Sequence, residues 1–168
     1  DDGRFLEPKY QTEQTQCNVD KITYEDGGLT WCQPTIATHH PIAHLCEPGL
    51  VRSPNGNQLA MLLRENSHQF NSFVAFSIDE GENWSEPIEL PATLTGDRHT
   101  CRYTKDGRLV IVFRDTTRDS PTRGDWVARI GRYDNIVKGE EGQYRVRLMD
   151  NTKGSDSCYP GVECLTPG

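Results

Sequence analysis

Two turn patterns recur along this chain at intervals of about fifty residues, the spacing of a repeat protein. The first is an Asn-Gly or Asp-Gly pair between apolar runs, around Gly56 and Gly107, with a further turn glycine at Gly168. The second ends in tryptophan, in "YEDGGLTW" at Trp31 and "SIDEGENW" at Trp84. Because the two series interleave, each unit reads as four strands, with the glycine pair after the first and the tryptophan turn after the third.

Four short strands per unit are typical of a β-propeller blade. The 15 glycines and 10 prolines favour short strands and turns, and a helical pattern is confined to one turn at Asp134–Lys138. We therefore predict an all-β fold, a β-propeller of about three four-stranded blades. The predicted units are part of a blade at 1–44, blades at 45–96 and 97–156, and the start of another at 157–168. A β-sandwich with two unrelated hairpins is the alternative.

The turn glycines also locate the inner strand of each blade. We expect inner strands near Leu45–Arg52, His99–Thr104 and Tyr159–Cys164. Closed propellers have four to eight blades. The expectation is therefore a segment of a longer propeller, whose remainder is missing from this chain or supplied by other copies.

Charge and hydropathy exclude two broad classes. The net charge of −7 argues against a nucleic-acid-binding surface, so no nucleic-acid partner is predicted. No run of apolar residues is long enough to predict a membrane-spanning helix. The first residues lack the features of a signal peptide, which leaves the compartment open, a secreted or periplasmic location included.

The tryptophan turn carries a family resemblance. "SIDEGENW" fits the pattern S-x-D-x-G-x-x-W, the Asp-box or BNR repeat of sialidase-like propellers. In that pattern Asp79 can accept hydrogen bonds from its own turn, Gly81 permits a positive φ, and Trp84 can wedge between blades. "YEDGGLTW" is a degenerate copy with Tyr24 in place of serine. The chain thus resembles the sialidase superfamily, whose propellers have six blades when complete.

Further residues resemble the active site of bacterial exo-sialidases. Glu47 and Arg64 flank the first glycine turn at nearly the family's spacing, Arg123 precedes "GDWVARIG", and Tyr159 precedes the last turn. These matches occur in the family's order. Two family features are not found, namely the first arginine, in an R-I-P motif, and the aspartate that acts as acid and base.

The resemblance implies a mechanism that suits these residue types. Sialic acid carries a carboxylate on its anomeric carbon, which arginines bind and which would repel a carboxylate nucleophile. Tyr159 would be the nucleophile and Glu47 its base, as in the tyrosine-dependent sialidases. Arg64 and Arg123 would bind the substrate carboxylate, with Arg98 and Arg114 as further substrate contacts.

Each candidate also has a structural interpretation. Tyr159 fits an ordinary strand aromatic and Glu47 a turn cap, while Arg64 and Arg123 fit ion pairs at blade edges. Arg114 fits a structural role more closely than a substrate contact. Arg98, with Asp97, is equally consistent with a solvated loop.

No cofactor and no metal are predicted, since the cysteine spacing provides no C-x-x-C zinc site. The segment "THHPIAHLCE" gathers His39, His40, His44 and Cys46. This segment has two interpretations. Its histidines could line a sugar pocket, or they could form a metal site. Cys46 and Cys158 occupy equivalent positions in their repeats, which is consistent with a disulfide or with buried thiols.

These observations predict a retaining exo-sialidase-like glycoside hydrolase whose partner is an acidic terminal sugar such as sialic acid. The activity is expected of the complete protein, and this chain alone is expected to be inactive. A propeller polysaccharide lyase that uses Tyr159 and a histidine on a uronate is one alternative. A non-catalytic carbohydrate-binding propeller is the other.

Overall fold

The computed structural model describes residues 18–153 and 159–165, together with the backbone of 5–9. The strands in this part of the chain are β1 (Phe5–Lys9), β2 (Asn18–Ile22), β3 (Thr35–Thr38), β4 (Leu45–Arg52), β5 (Leu59–Glu65), β6 (Phe73–Ser77), β7 (Ile88–Glu89), β8 (Gly96–Tyr103), β9 (Leu109–Asp115), β10 (Trp126–Gly131) and β11 (Tyr144–Met149). A 3-10 turn covers Ala92–Leu94, and a short helix, α1, covers Tyr133–Val137. No helix among the described residues is long and apolar enough to cross a bilayer.

The strands form antiparallel sheets in the blade arrangement that the repeats predict. The first sheet has the order β1-β2-β3, the second β4-β5-β6-β7 and the third β11-β10-β9-β8. The all-β, propeller-type prediction is confirmed. The first inner strand was predicted with the observed bounds of β4, whereas β8 begins at Gly96, three residues before the predicted start.

The third predicted inner strand is wrong. Residues 159–165 form no strand, because the described residues offer no neighbouring strand to complete a ladder with them. This segment lies against β8 through side chains instead. Thr100 Oγ1 donates to the carbonyl of Pro160 at 3.4 Å. Val162 packs on the face of the third sheet opposite the one that faces β5.

The second strand of each complete sheet is buried on both faces, which explains its continuous apolar sequence. In β5, Ala60 and Leu62 face the third sheet, whereas Met61 and Leu63 face the first. The first of the two cores between sheets also holds Ile111 and Phe113 of β9, Val127 of β10 and Ile136 of α1. Each sheet therefore packs on its sequence neighbours, as stacked blades do.

The Asp-box turn between β6 and β7 is held by its aspartate. Asp79 accepts hydrogen bonds from the Asn83 backbone N–H at 2.9 Å, its side-chain amide at 2.7 Å, and the Ser77 hydroxyl at 2.8 Å. These bonds, that of the Asn83 backbone foremost, lower the pKa of Asp79 to about 2. Gly81 has a φ of 81°, which a residue with a side chain rarely adopts.

The same turn joins the first two sheets, as expected of the tryptophan. Trp84 donates from its indole to the Gly81 carbonyl at 3.1 Å and packs on the core shared by the first two sheets. Lys21 of β2 donates to the carbonyls of Gly81 and Glu82, both at 2.8 Å. The Asp-box is thus a packing device between blades.

The degenerate copy keeps the turn but has a different tryptophan environment. Asp26 accepts hydrogen bonds from the N–H groups of Leu29 and Thr30 at 2.9 and 3.0 Å, so the aspartate still holds its turn. Trp31 is 43% exposed and lies edge-on to Tyr24, the residue in the serine position, with ring centroids 4.9 Å apart.

We expect Trp84→Ala to lower the free energy of unfolding by about 3 kcal/mol, because it removes a large, partly buried side chain that packs against the core between two sheets. Trp31→Ala is the matched control at the equivalent position, and its cost should be clearly smaller because Trp31 is exposed. Urea unfolding of both variants checks the prediction. Equal losses would show that the tryptophan does not join the blades.

Candidate functional site

The candidate site lies where β4 and β8 run side by side. Each strand contains a β-bulge near its start, between Cys46 and Gly49 in β4 and between Asp97 and Thr100 in β8. The first residue inside each bulge has a positive φ, 46° for Glu47 and 62° for Arg98. Bulges and such strained residues concentrate at functional sites because they redirect side chains at an energetic cost.

The close approach of these two strands depends on a glycine. A Cβ atom added to Gly49 would lie 2.5 Å from the carbonyl oxygen of His99. Because a contact this short is repulsive, any side chain at position 49 would push the inner strands apart. Gly49 therefore fixes the spacing at which the two bulges face one another.

A pocket of about 280 Å³ opens at the bulges. It is lined by Glu47, Pro48, Arg98, His99, Thr100, Tyr159 and Pro160. Glu47 and Arg98 occupy equivalent bulge positions, nine residues before their turn glycines, and Tyr159 stands at the same offset from Gly168. Equivalent positions of successive repeats thus supply a carboxylate, a guanidinium and a phenol to one pocket.

Behind the pocket, a buried carboxylate links two arginines. The Asp97 side chain is fully buried, 2.9 Å from Nε of Arg64 through Oδ1 and 3.2 Å from Nε of Arg114 through Oδ2. Arg64 also reaches Oε1 of Glu47 at 3.0 Å. Burial opposes the charge of Arg64, but Asp97 and Glu47 outweigh it and raise the pKa of that guanidinium.

Arg98 lies between the other two pocket groups. Its Nε is 3.9 Å from Oε2 of Glu47, and its guanidinium carbon is 3.8 Å from the centre of the Tyr159 ring, a cation–π arrangement. Oε2 of Glu47 is buried and accepts no hydrogen bond from the described residues. This oxygen is available to accept a proton from a ligand or a neighbouring group.

His99 forms the buried wall of the pocket. Its Nε2 donates to the carbonyl of Leu94 at 3.1 Å, and its ring stacks at a tilt on Phe113, with centroids 5.2 Å apart. Burial lowers the pKa of His99 to about 4, against the smaller opposing effects of the Leu94 carbonyl and Asp97. The imidazole is therefore neutral at pH 7, with Nδ1 buried and without a hydrogen-bond partner among the described residues.

The structure brings together most of the residues that the sequence singles out. Glu47, Arg98 and Tyr159 line the pocket, and Arg64 and Arg114 join it through ion pairs. Arg123 is not brought to it. Arg123 is exposed in the loop between β9 and β10, where its backbone N–H donates to Ser120, and it does not line the pocket.

The sequence patterns do not predict the roles of two residues of the site. Asp97 is the buried centre of the ion pairs, so the solvated-loop interpretation is wrong for it. A signal was present, because Asp97 precedes Gly107 by the interval that separates Cys46 from Gly56. His99 had no such signal, since the equivalent residue in β4 is Pro48.

The histidine-rich segment before β4 has a structural role in part. His40 accepts a hydrogen bond at Nδ1 from the backbone N–H of Ala43 at 2.9 Å and packs against Phe73. No group of three or more metal-ligating side chains occurs among the described residues. Cys46 is buried, and Cys158, its equivalent, lies outside the described residues.

Sequence comparison establishes the family. Residues 1–160 match the family model described as a BNR repeat-like domain. The chain belongs to this family. No curated protein sequence matches the chain significantly.

Solved structures resemble this BNR repeat-like chain at low sequence identity. A Dyadobacter fermentans protein of unknown function has a TM-score of 0.60 and 18% identity over 80% of this chain and 34% of its own. The Penicillium chrysogenum alpha-L-arabinanase complexed with arabinobiose has a TM-score of 0.62 and 13% identity, covering 86% of this chain and 44% of its own.

A mutant of NanB sialidase from Streptococcus pneumoniae has a TM-score of 0.59 and 14% identity, covering 87% of this chain and 22% of its own. At these identities the likeness shows a common fold. The BNR repeat-like chain spans between 22% and 44% of the length of these three proteins.

We expect Asp97→Asn to lower the free energy of unfolding by about 3–5 kcal/mol, because it leaves two partly buried arginines without their shared buried carboxylate. The matched control is Asp106→Asn, which removes an exposed ion pair with Arg108 and should leave stability nearly unchanged. Denaturant unfolding measures both. Similar losses would contradict a special role for the buried carboxylate.

A second expectation concerns acid sensitivity. Because the pKa of His99 falls from 6.5 unfolded to about 4 folded, the unfolded chain binds a proton that the folded chain does not over that interval. Stability is therefore lost as the pH falls from 6.5 towards 4. His99→Gln should recover up to about 3 kcal/mol of that loss.

The measurement is denaturant unfolding between pH 7 and 4. His39→Gln is the control, since His39 is exposed, and should follow the wild-type profile. Parallel profiles for His99→Gln and the wild type would contradict the assignment of a neutral, buried imidazole.

Proposed function

We propose that this chain forms part of a propeller glycoside hydrolase that acts on an acidic terminal sugar, with sialic acid as the preferred candidate. The observation that carries the proposal is the meeting of Glu47, Arg98 and Tyr159 at one pocket. A phenol and a carboxylate that line one pocket are the two groups that tyrosine-dependent sialidases require. The chain also shares its fold with a sialidase and with an arabinanase.

The arginines of the site support an anionic ligand. Arg64, Arg98 and Arg114 gather at or behind the pocket, with side chains that are 15%, 9% and 15% exposed. A partly buried guanidinium attracts an anion more strongly than an exposed one, because water screens it less. The carboxylate of an acidic sugar in the pocket would therefore be attracted to this group of guanidiniums.

The first chemical step uses two of the pocket residues. The phenol oxygen of Tyr159 forms a bond to the anomeric carbon while its proton passes to Glu47, and the bond to the leaving oxygen breaks. The leaving oxygen takes a proton from an acid that neither Tyr159 nor Glu47 provides. In the second step water attacks the anomeric carbon and gives a proton back to that acid, while the bond to the phenol oxygen breaks and this oxygen regains its proton from Glu47. Two displacements retain the configuration of the sugar.

The remaining arginines support this chemistry indirectly in the proposal. Arg64 holds Oε1 of Glu47, which leaves Oε2 to accept the proton. Arg114 neutralises Asp97 together with Arg64 and so keeps both in place. We assign Arg123 no contact with the sugar ring, because it is exposed in the loop between β9 and β10.

A polysaccharide lyase is the second candidate, and one observation favours it. His99 lines the same pocket as Tyr159 and is neutral at pH 7, because its pKa is lowered to about 4. A neutral imidazole and a phenol could share the transfer of the proton next to a uronate carboxylate. A lyase leaves an unsaturated sugar that absorbs ultraviolet light, which a hydrolase does not produce.

We expect Tyr159→Phe, made in the complete protein, to reduce turnover of a fluorogenic sialoside by at least about 10³-fold while sugar binding is retained, since only the phenol oxygen is lost. Tyr144→Phe is the matched control. Tyr144 lies exposed on β11, away from the pocket, and its variant should keep full activity. Fluorescence release measures turnover and calorimetry measures binding.

The same assay separates the alternatives. The wild-type protein is also given an aryl arabinofuranoside and a uronate polysaccharide. Cleavage of the arabinoside alone would overturn the acidic-sugar proposal, and an ultraviolet-absorbing product would favour the lyase. Full activity of Tyr159→Phe on the sialoside would reject Tyr159 as the nucleophile, and binding without any turnover would indicate a binding module.

A further inference from the structure

The segment that carries Tyr159 is attached to β8 by alternate residues of that strand. Arg98 lies over the Tyr159 ring, Thr100 donates to the Pro160 carbonyl, and Arg102 pairs with Glu163 at 3.3 Å. Thr100 and Arg102 are alternate residues of the regular part of the strand and point to the same side of the sheet. The β-bulge between Asp97 and Thr100 directs Arg98 to the same segment, at the position of the phenol.

Arg98 itself is held firmly. The residues on either side of it are almost fully buried, Asp97 at 0% and His99 at 5% exposed. The Arg98 side chain is 9% exposed, and the β-bulge fixes its backbone at a positive φ. The Tyr159 residue is 74% exposed and lies outside any strand. Of the two residues, the arginine is thus the rigid one and the tyrosine the one that is oriented.

We propose that Arg98 is a positioning residue for Tyr159, which fixes the ring over the pocket and stabilises the negative charge that its oxygen acquires in the reaction. This extends the proposed function, since it rests on Tyr159 being the reacting group. It holds equally for a nucleophilic tyrosine and for one that exchanges a proton in a lyase.

The position of Arg98 suits a proton transfer between its two neighbours. Before the transfer the negative charge is on Glu47, whose Oε2 lies 3.9 Å from Arg98 Nε. After it, Glu47 is neutral and the charge is on Tyr159, whose ring lies 3.8 Å from the same guanidinium. The negative charge moves from Glu47 to Tyr159 but remains next to Arg98, so the surrounding dipoles and charged groups need little rearrangement during the proton transfer.

A guanidinium is better suited to this role than an ammonium. Its flat, delocalised face can stack on the phenol ring while its N–H groups point at Glu47. Lysine would keep the charge but lose the stacked geometry. Arg98→Lys therefore separates the effect of charge from the effect of orientation, and Arg98→Met removes both at similar side-chain length.

The first test measures the contact without any substrate. The complete protein is unfolded with urea as wild type, Arg98→Met, Tyr159→Phe, Tyr159→Ala and Arg98→Met with Tyr159→Ala. We expect Arg98→Met and Tyr159→Ala to be coupled by about two- to fivefold in the unfolding equilibrium constant. Tyr159→Phe should keep most of the coupling, since the ring remains. If the effects of Arg98→Met and Tyr159→Ala on unfolding are additive, the two side chains do not interact. The proposal then fails, whatever the activity of the protein.

The second test measures kcat and KM on the substrate that the wild type cleaves. We expect Arg98→Met to lower kcat by about 10²–10³-fold, as loss of a charge-stabilising group does. On the Tyr159→Phe background it should lower kcat no further, because residues that act as one unit are not additive. Arg98→Lys should recover part of the loss.

Arg102→Met is the matched control, since Arg102 supports the same segment four residues further along β8, through its ion pair with Glu163. It should leave kcat within about threefold of the wild type, as expected for an exposed ion pair. Equal losses of kcat in Arg98→Met and Arg102→Met would show that Arg98 only supports the segment structurally. A rise in KM alone would make it a substrate contact, and either result overturns the proposal.

Discussion

The buried charge of Asp97 is the interaction on which the site depends. A carboxylate without solvent is strongly unfavourable unless cations neutralise it, and here the cations come from neighbouring sheets, Arg64 from β5 and Arg114 from β9. Because Asp97 needs both arginines to neutralise its charge, these ion pairs fix how the second and third sheets pack against each other. Arg64 carries that constraint to Glu47, and the position of the Glu47 carboxylate at the pocket follows from it.

The fold supports this meeting through its irregular parts rather than its regular ones. If the backbone pairing were uninterrupted, successive side chains of β4 and β8 would point to alternate faces of their sheets. The two bulges break that alternation at one level and turn Glu47 and Arg98 to the pocket, and Gly49 allows the strands to approach. The strain of the two positive φ angles is stored where the chemistry is proposed, and the cores on both sides of β5 compensate for it.

The repeat pattern predicted the sheets well because turn chemistry is local. Asp79, Gly81 and the turn glycines need no distant partner to fix their turns, so sequence alone located the strands between them. The site was predicted less completely because ion pairing is not local. The repeat offset places Asp97 at the position of Cys46 but does not indicate which arginines its carboxylate meets, and nothing near Arg123 indicates that its loop leaves it in solvent. The strand predicted at Tyr159 was wrong because a strand depends on a neighbour, which turn residues cannot reveal.

The equivalence of Glu47, Arg98 and Tyr159 has a consequence for how such a protein can diversify. Glu47 and Arg98 stand at the same offset from their turn glycines in bulges with a positive φ, so two different side chains are presented by a similar backbone, whereas Tyr159 reaches the pocket from outside any strand. A single substitution at this offset can replace an acid with a base or a neutral group in one blade, while the others keep theirs. Substitutions at a few equivalent positions can then change what such a pocket binds, without rebuilding the framework.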